Sequence, residues 1–333
     1  MEIIYSFSAN NMKFCTSFVG YTALSLGITL TGLSVSERAV GAADSTIRIQ
    51  REQPIQSGDL EASYELGRAL LRGEGVPRDH REALKLLGDA ARAGHPGAMG
   101  AYGYMVAKGL ASTADPVEGL SWIRKAADLG VSSAVLNAGI MTMKGQGTEA
   151  DPAAGLAMVR KVAETGYMDA VIRLAELYYF GGDGIASDPE KAAPWARQAA
   201  DAGNAWARNL VGIMKENVIG MPLDLPGAAR YYGMAAAQGN SKAQSALGRL
   251  LFNGMGMPSD RVRAYYWLKA AAGQGEITAR QFLAEVGPAF TDSETEAATA
   301  LLKAEPPVVA VPVKNPGPGS PVPRLEAGGK TTP

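Results

Sequence analysis

A glycine recurs along the middle of the chain at an almost constant spacing, and this regularity constrains the fold more than any other feature. The intervals are 36, 36, 36, 37, 36 and 36 residues, between Gly58, Gly94, Gly130, Gly166, Gly203, Gly239 and Gly275. An alanine follows each glycine by four residues, and an aspartate recurs in the same register from Asp79 to Asp260. Because so short a unit cannot bury an apolar face alone, neighbouring units are expected to stack into a solenoid.

Each unit is predicted to fold as two helices joined by a glycine-rich turn. The first helix is expected to begin near the alanine and to stop at a turn such as Gly73-Glu74-Gly75. The aspartate then precedes the second helix, where its carboxylate accepts hydrogen bonds from unpaired backbone N–H groups. A bulky residue such as Trp267 marks the second helix, and the next repeat glycine ends it.

The predicted fold is therefore all-α: a right-handed superhelix of six helix pairs, a seventh first helix and a C-terminal capping helix. Thr291 and Glu294 have the spacing of a capping box at the start of that last helix, which is expected to end near Ala304. The solenoid with its cap is predicted to occupy residues 58–305 and to follow a linker at residues 43–57.

The in-phase pattern resembles that of the Sel1-like repeat family, a relative of the tetratricopeptide repeats. The stretch from Ala243 to Ala271 is close to the family consensus, and the resemblance covers about residues 58–286. Val218 departs from it where a turn glycine is usual, and Ala284 where a helical glycine is usual. The resemblance implies an α-solenoid for protein–protein interaction. Its exported bacterial members include scaffolds of exopolysaccharide secretion and a periplasmic regulator of a sensor kinase.

The two ends of the chain differ from the repeats. Lys13 precedes an uncharged run at residues 14–35, and Val40-Gly41-Ala42 fits a signal-peptidase site, so residues 1–42 are predicted to be a signal peptide cleaved after about Ala42. The run is also long enough for an uncleaved membrane anchor, and this alternative stays open. Residues 306–333 are rich in proline and glycine and are predicted to form an extended tail. A periplasmic or secreted location follows from the signal peptide.

The composition disfavours most catalytic chemistry. The chain has two histidines and one cysteine, which leaves little material for a zinc site or a Cys/His nucleophile. The 32 basic and 33 acidic residues give no basic surplus for nucleic acid. Common nucleophile, phosphate-loop and zinc motifs are absent from the sequence. We therefore predict no enzyme activity, no metal and no cofactor, and we predict a turn rather than a ligand loop at residues 181–184.

A binding surface is predicted on the concave face, which the first helices line in solenoids of this kind. By analogy with tetratricopeptide repeats, the second, sixth, ninth and tenth residues after each repeat alanine are expected to face the groove. The central repeats place apolar residues there, and the predicted partner-binding set is Tyr104, Leu136, Ile140, Met143, Ile172, Glu176, Tyr179, Phe180 and Ile213. The stripe Leu136, Ile140 and Met143 also fits an inter-repeat core, and both interpretations stay open.

The functional hypothesis is a monomeric, exported, non-catalytic adaptor that binds a partner protein or peptide in this groove. A sensor kinase or a component of envelope secretion is the kind of partner that the resemblance implies. Contact with the membrane is expected only through the N-terminal segment. Two alternatives stay open: a protein that binds peptidoglycan or an envelope glycan, and a structural spacer whose groove binds nothing.

Overall fold

The computed structural model describes residues 60–304, and this part of the chain is helical. Fourteen α-helices occur there: α1 (Leu60–Arg72), α2 (His80–Arg92), α3 (Pro96–Lys108), α4 (Pro116–Asp128), α5 (Ser132–Lys144), α6 (Pro152–Ala163), α7 (Met168–Phe180), α8 (Pro189–Asp201), α9 (Ala205–Asn217), α10 (Leu225–Ala236), α11 (Ser241–Asn253), α12 (Arg261–Gly273), α13 (Ile277–Val286) and α14 (Asp292–Lys303). Within residues 60–304 there is no strand, only one β-bridge between Gly182 and Ile185. The predicted all-α fold is confirmed.

The helices pack as the repeat predicts. Each helix from α1 to α12 contacts the next along the chain, and first helices of successive units also touch, as in α1 with α3 and α9 with α11. The odd-numbered first helices therefore lie side by side in one layer. Helix α14 packs against α12 and buries Phe290 and Ala298, so it covers the C-terminal end of the array as predicted.

Some predicted segments fall outside the described residues. These are the signal peptide at residues 1–42, the linker at residues 43–57 and the tail at residues 306–333. Of the helices between residues 60 and 304, none has both the length and the apolar character that crossing a bilayer requires.

The repeat aspartates begin the second helices, as predicted. The carboxylate of Asp79 accepts hydrogen bonds from the backbone N–H groups of Arg81 and Glu82, both at 3.0 Å. Asp115 accepts one from the N–H of Glu118, and the other four units repeat this arrangement. Each carboxylate thus satisfies one or two of the unpaired donors at a helix start. The predicted capping box of Thr291 and Glu294 is also present.

The first helices begin two residues before the repeat alanine, slightly earlier than predicted. The residue before the helix caps it through its side chain at four first helices, by His95, Asn204, Asn240 and Glu276. The sequence did not reveal this role for His95. The His95 Nδ1 atom accepts the N–H of Ala98 at 3.0 Å, so the proton sits on Nε2, 2.9 Å from the Glu61 carboxylate. His95 therefore has a structural role at a helix start.

Glycines let the two helices of a unit approach closely, and the units differ in what packs against the glycine of the first helix. In repeat 2, a Cβ atom added to Gly103 would lie 2.7 Å from the carbonyl oxygen of Gly119, so the two backbones are in direct contact. In repeat 5 the ring of Tyr232 covers Gly212 instead, 2.6 Å from the place a Cβ atom would take. Backbone contact in one unit is thus replaced by an aromatic ring in another.

Candidate functional site

Two clefts open over the first helices. The N-terminal cleft, of about 490 Å³, crosses α1, α3 and α5. The C-terminal cleft, of about 480 Å³, crosses α9, α11 and α13. Each cleft therefore extends over three successive repeats on the layer of first helices, the surface on which the sequence predicted binding.

The two clefts are built from corresponding positions of the repeat. The second, sixth, ninth and tenth residues after the repeat alanine line them, as predicted, and include Arg68 and Arg72 in one cleft and Ile213 and Asn217 in the other. The residue before the alanine and the third residue after it also contribute, as Lys242 does in the C-terminal cleft. These two positions lie four residues apart on the adjoining helix stripe and are not among the four predicted ones.

The predicted partner-binding residues fall into three classes of exposure. Tyr104 and Phe180 are exposed, with 39% and 66% of their surface accessible. Five others are half-buried: Ile140, Ile172, Glu176, Tyr179 and Ile213. Leu136 and Met143 are buried in the core, so the expectation that they face the groove is wrong. For these two residues the core alternative is correct.

The burial of Leu136 and Met143 has a physical cause. Leu136 belongs to the same core cluster as Val171 and Leu174 of the next first helix. Asn209 and Ser245, at the same position in other repeats, are also buried, although they line the floor of the C-terminal cleft. Met143 lies over Gly155 of the second helix and fills the space that this glycine leaves without a side chain. Packing between helices therefore takes both side chains out of the candidate binding surface.

An aromatic pair marks the middle of the groove. The Tyr179 and Phe180 rings meet edge to face, with centroids 4.8 Å apart. Burial raises the pKa of the Tyr179 hydroxyl. The tenth position after the repeat alanine is exposed in every unit and is occupied by Arg72, Lys108, Lys144, Phe180, Asn217 and Asn253. Phe180 is thus the one apolar residue in a row that is otherwise polar.

Ion pairs connect the loop at residues 181–184 to the first helices. Arg173 donates to the carboxylate of Asp183 at 2.7 Å and to that of Glu176 at 3.4 Å, and Lys144 lies 3.8 Å from Asp183. Asp183 belongs to the loop at residues 181–184, where Gly182 and Ile185 exchange two backbone hydrogen bonds of 2.9 Å. The predicted turn is confirmed, and its acidic side chain points back to α7.

A buried carboxylate forms part of the C-terminal cleft. The side chain of Glu216 is only 9% exposed; it accepts the Tyr232 hydroxyl at 2.9 Å and is bound on its other oxygen by Arg249. Tyr232 stands at a second-helix position that holds Leu87, Ile123, Val159, Ala196 and Leu268 in the other units. Burial and the neighbouring carboxylate raise the pKa of the Tyr232 hydroxyl well above its usual range, so this hydroxyl stays a donor.

The N-terminal cleft has a different electrostatic character. Arg68, Arg72, Arg78 and His80 line it together with Tyr64 and Tyr104, and its lining contains no carboxylate. Two acidic residues pair with these arginines from outside the lining, Glu65 with Arg68 at 2.9 Å and Glu74 with Arg72 at 3.6 Å. Both ion pairs are largely exposed to solvent, so each contributes little and can exchange for another anion.

These arrangements are suited to binding. Within residues 60–304, no three His, Cys, Asp or Glu side chains cluster as metal ligands would. The two clefts offer hydrogen-bond donors, charges and aromatic faces over successive repeats, which suits an elongated ligand.

The comparisons with known proteins agree with the geometry. The Sel1 repeat matches residues 60–95, 96–131, 132–167, 169–204, 207–240 and 241–276, which is more than half of the chain. A protective antigen of uropathogenic Escherichia coli with an SLR fold is 26% identical with a TM-score of 0.63; the match covers 74% of this chain and 53% of that protein. A Sel1 repeat protein from Oxalobacter formigenes is 31% identical with a TM-score of 0.59, over 68% of this chain and 66% of that one.

The chain therefore spans about half the length of the first of these proteins and just under two thirds of the second. No curated protein matches it. Proteins with Sel1 repeats generally serve as non-catalytic scaffolds for protein–protein interaction. Six in-phase matches over a continuous helical array establish that the chain belongs to the Sel1 repeat family.

Proposed function

We propose that this protein is an exported bacterial adaptor that holds a segment of a partner protein in the groove over its first helices. It acts in the periplasm or outside the cell, carries out no covalent chemistry, and takes part in envelope signalling or exopolysaccharide production. The export step rests on the sequence of residues 1–42.

The observation that carries the proposal is Phe180. Its side chain is 66% exposed at a repeat position that holds charged or amide residues in the other units. Phe180 and the adjoining Tyr179 ring form an aromatic surface at this position, and an exposed apolar surface larger than one side chain is typical of a site that a partner covers. Tyr179, Ile140 and Ile172 are half-buried on the central first helices and add apolar surface that a partner can contact.

Photocrosslinking in intact cells tests the proposal. A photoreactive residue at position 180 is expected to yield one protein adduct, because this position faces the partner. Val117 on α4 is the matched control, since it is 67% exposed but lies on a second helix. A photoreactive residue at position 117 is expected to yield no such adduct.

The outcomes separate the alternatives. To test Phe180 itself, the photoreactive residue is placed at position 140. Loss of the protein adduct in the Phe180→Asp variant supports the adaptor, provided that the Val117→Asp variant still forms the adduct. Glycan adducts at position 180 favour a protein that binds peptidoglycan or another envelope glycan. The same weak labelling at positions 180 and 117 favours a spacer and contradicts the adaptor.

A further inference from the structure

We propose that the partner segment is acidic and extended: its carboxylates pair with Arg72, Lys108 and Lys144, and an apolar side chain follows them and packs on Phe180. This inference rests on the proposed function and adds the chemistry and order of the bound segment. It assigns the segment to the N-terminal and central repeats of the groove.

The first observation is a row of cations. Arg72, Lys108 and Lys144 end α1, α3 and α5 at the same repeat position, and all three are exposed. Arg72 lies 3.6 Å from Glu74 and Lys144 lies 3.8 Å from Asp183, both beyond hydrogen-bond length. Lys108 has no ion pair among residues 60–304. The row beside the carboxylate-free N-terminal cleft thus lacks strong internal partners.

The second observation is the spacing of the row. Adjacent packed helices lie about 8–10 Å apart, and an extended peptide advances about 3.3 Å per residue. Every third residue of such a peptide therefore meets the next cation. An acidic residue at every third position, followed by an aromatic residue three positions later, matches the order Arg72, Lys108, Lys144 and Phe180. A helical segment rises only about 1.5 Å per residue and would need its acidic residues about seven positions apart, so a spacing of three is specific to the extended form.

Charge argues against the chain's own C-terminal tail as the occupant. Residues 306–333 contain Lys314, Arg324 and Lys330 against a single acidic residue, Glu326. A segment with this positive balance is repelled by the basic row. A polyanionic glycan pairs with the cations but has no apolar group for the adjoining phenyl ring. A nucleic acid is disfavoured because the chain has no basic surplus, with 32 basic and 33 acidic residues. An acidic and partly apolar peptide therefore fits the whole surface best.

The test uses the full chain and a synthetic probe. The probe is a fluorescein-labelled peptide Glu-Ser-Ser-Glu-Ser-Ser-Glu-Ser-Ser-Trp, compared with a peptide in which glutamine replaces each glutamate. The glutamate peptide is expected to bind at least about tenfold more tightly at low salt, and its advantage is expected to shrink as salt screens the charges.

Two matched protein variants assign the binding to the row. The variant Arg72→Gln with Lys108→Gln and Lys144→Gln is expected to lose the preference for glutamate. The control variant replaces Lys85, Arg124 and Lys161 by glutamine, which are exposed cations on the second helices of the same three repeats. It removes the same charge and is expected to keep the preference. Circular dichroism checks that both variants remain folded.

Several results would overturn the inference. These are equal binding of the two peptides, no binding of the glutamate peptide, or equal losses in the two protein variants. If position 180 crosslinks to a partner segment without acidic residues, the adaptor stands and this inference fails. If position 180 yields no protein adduct, both fail. If heparin displaces the glutamate peptide, and a glutamate peptide that ends in serine instead of tryptophan binds equally tightly, the row binds any polyanion and the inference is overturned.

Discussion

The N-terminal and C-terminal clefts occupy the same repeat positions but are connected to the core in different ways. In the N-terminal cleft the arginines lie at the surface, and the helices beneath touch through glycines such as Gly103 and Gly119. In the C-terminal cleft the core residue Tyr232 reaches Glu216, and Glu216 binds Arg249 at the cleft. Among residues 60–304, the arginines of one cleft therefore form no ion pair with a buried residue, whereas the other cleft shares a polar network with its core.

This difference shows how a repeat protein can vary a binding surface. Where the groove and core are separate, surface charges can change without a cost in stability. Where they share a buried carboxylate, a change in the groove leaves a charge without its partner, which is costly. The following predictions test this contrast, from the largest expected effect to the smallest.

The largest effect is expected from filling the contact between backbones in the N-terminal half. Gly103→Val would push a side chain against the Gly119 carbonyl oxygen and the Ile123 nitrogen, at 2.7 and 2.9 Å from the Cβ position. We expect the free energy of unfolding to fall by about 3 kcal/mol or more, because backbone atoms cannot yield as side chains do. Urea unfolding of the variant and the wild type measures this free energy. Gly233→Ala is the control: it has open space around it and should be neutral or slightly stabilising.

A smaller loss is expected when the core side of the C-terminal network is removed. Tyr232→Phe deletes the hydroxyl that donates to Glu216 and leaves a buried carboxylate one donor short. The expected cost is about 1.5 kcal/mol. Chemical denaturation of Tyr232→Phe, Glu216→Gln and the double variant gives the coupling energy. Simple additivity of the two single changes would contradict the shared network.

A matched pair of arginine changes contrasts the two clefts directly. Arg249→Met removes a cation from buried Glu216 and is expected to cost about 2 kcal/mol. Arg72→Met removes a cation whose nearest carboxylate, on Glu74, is 3.6 Å away and exposed, and we expect a change within about 0.5 kcal/mol. The thermal midpoints of both variants check this. Equal shifts would show that the clefts do not differ in their coupling to the core.

The smallest effect concerns pH in the C-terminal half. A hydrogen bond from Lys215 and one from the N–H of Gly227 hold the pKa of the Asp224 carboxylate below its ordinary value of 3.8. Because the folded pKa is the lower one, this stabilisation is present above about pH 4 and is lost as the pH falls through the folded pKa. Asp224→Asn keeps a capping side chain but loses the charge.

We expect Asp224→Asn to be less stable than the wild type at pH 7 by under about 1 kcal/mol. The difference should shrink below pH 4, because the wild-type carboxyl is then protonated as well. Melting curves at a series of pH values measure it. A constant difference from pH 7 to pH 2 would contradict the assignment of the low pKa.

The fold could be predicted from the sequence because the repeats can be aligned with one another, so that a residue type recurring at one position indicates a structural role. Six aspartates in one register indicate six helix starts, and the structure has all six carboxylates accepting N–H groups there. The cap at His95 was missed since histidine is an uncommon capping residue and its role depends on which ring nitrogen carries the proton.

The candidate site was only partly predictable. Periodicity indicated which positions of the first helices reach the surface, and Tyr104 and Phe180 are indeed exposed. It failed at Leu136 and Met143, because their burial depends on the neighbouring first helix and on the absent side chain of Gly155. The link from Tyr232 to Glu216 joins residues on different helices, and the single sequence carries no signal for that pairing.

The terminal helix α14 also limits how the array can assemble and grow. The uncovered end of a stack of helix pairs presents an apolar surface that fits another such end, and it would promote association of molecules end to end. By packing against α12, α14 covers apolar surface at that end of the array. A duplicated repeat is therefore accommodated more readily inside the array than after α14. An insertion between α7 and α9 would lengthen the groove and move its two clefts apart, while the residues within each cleft stayed together.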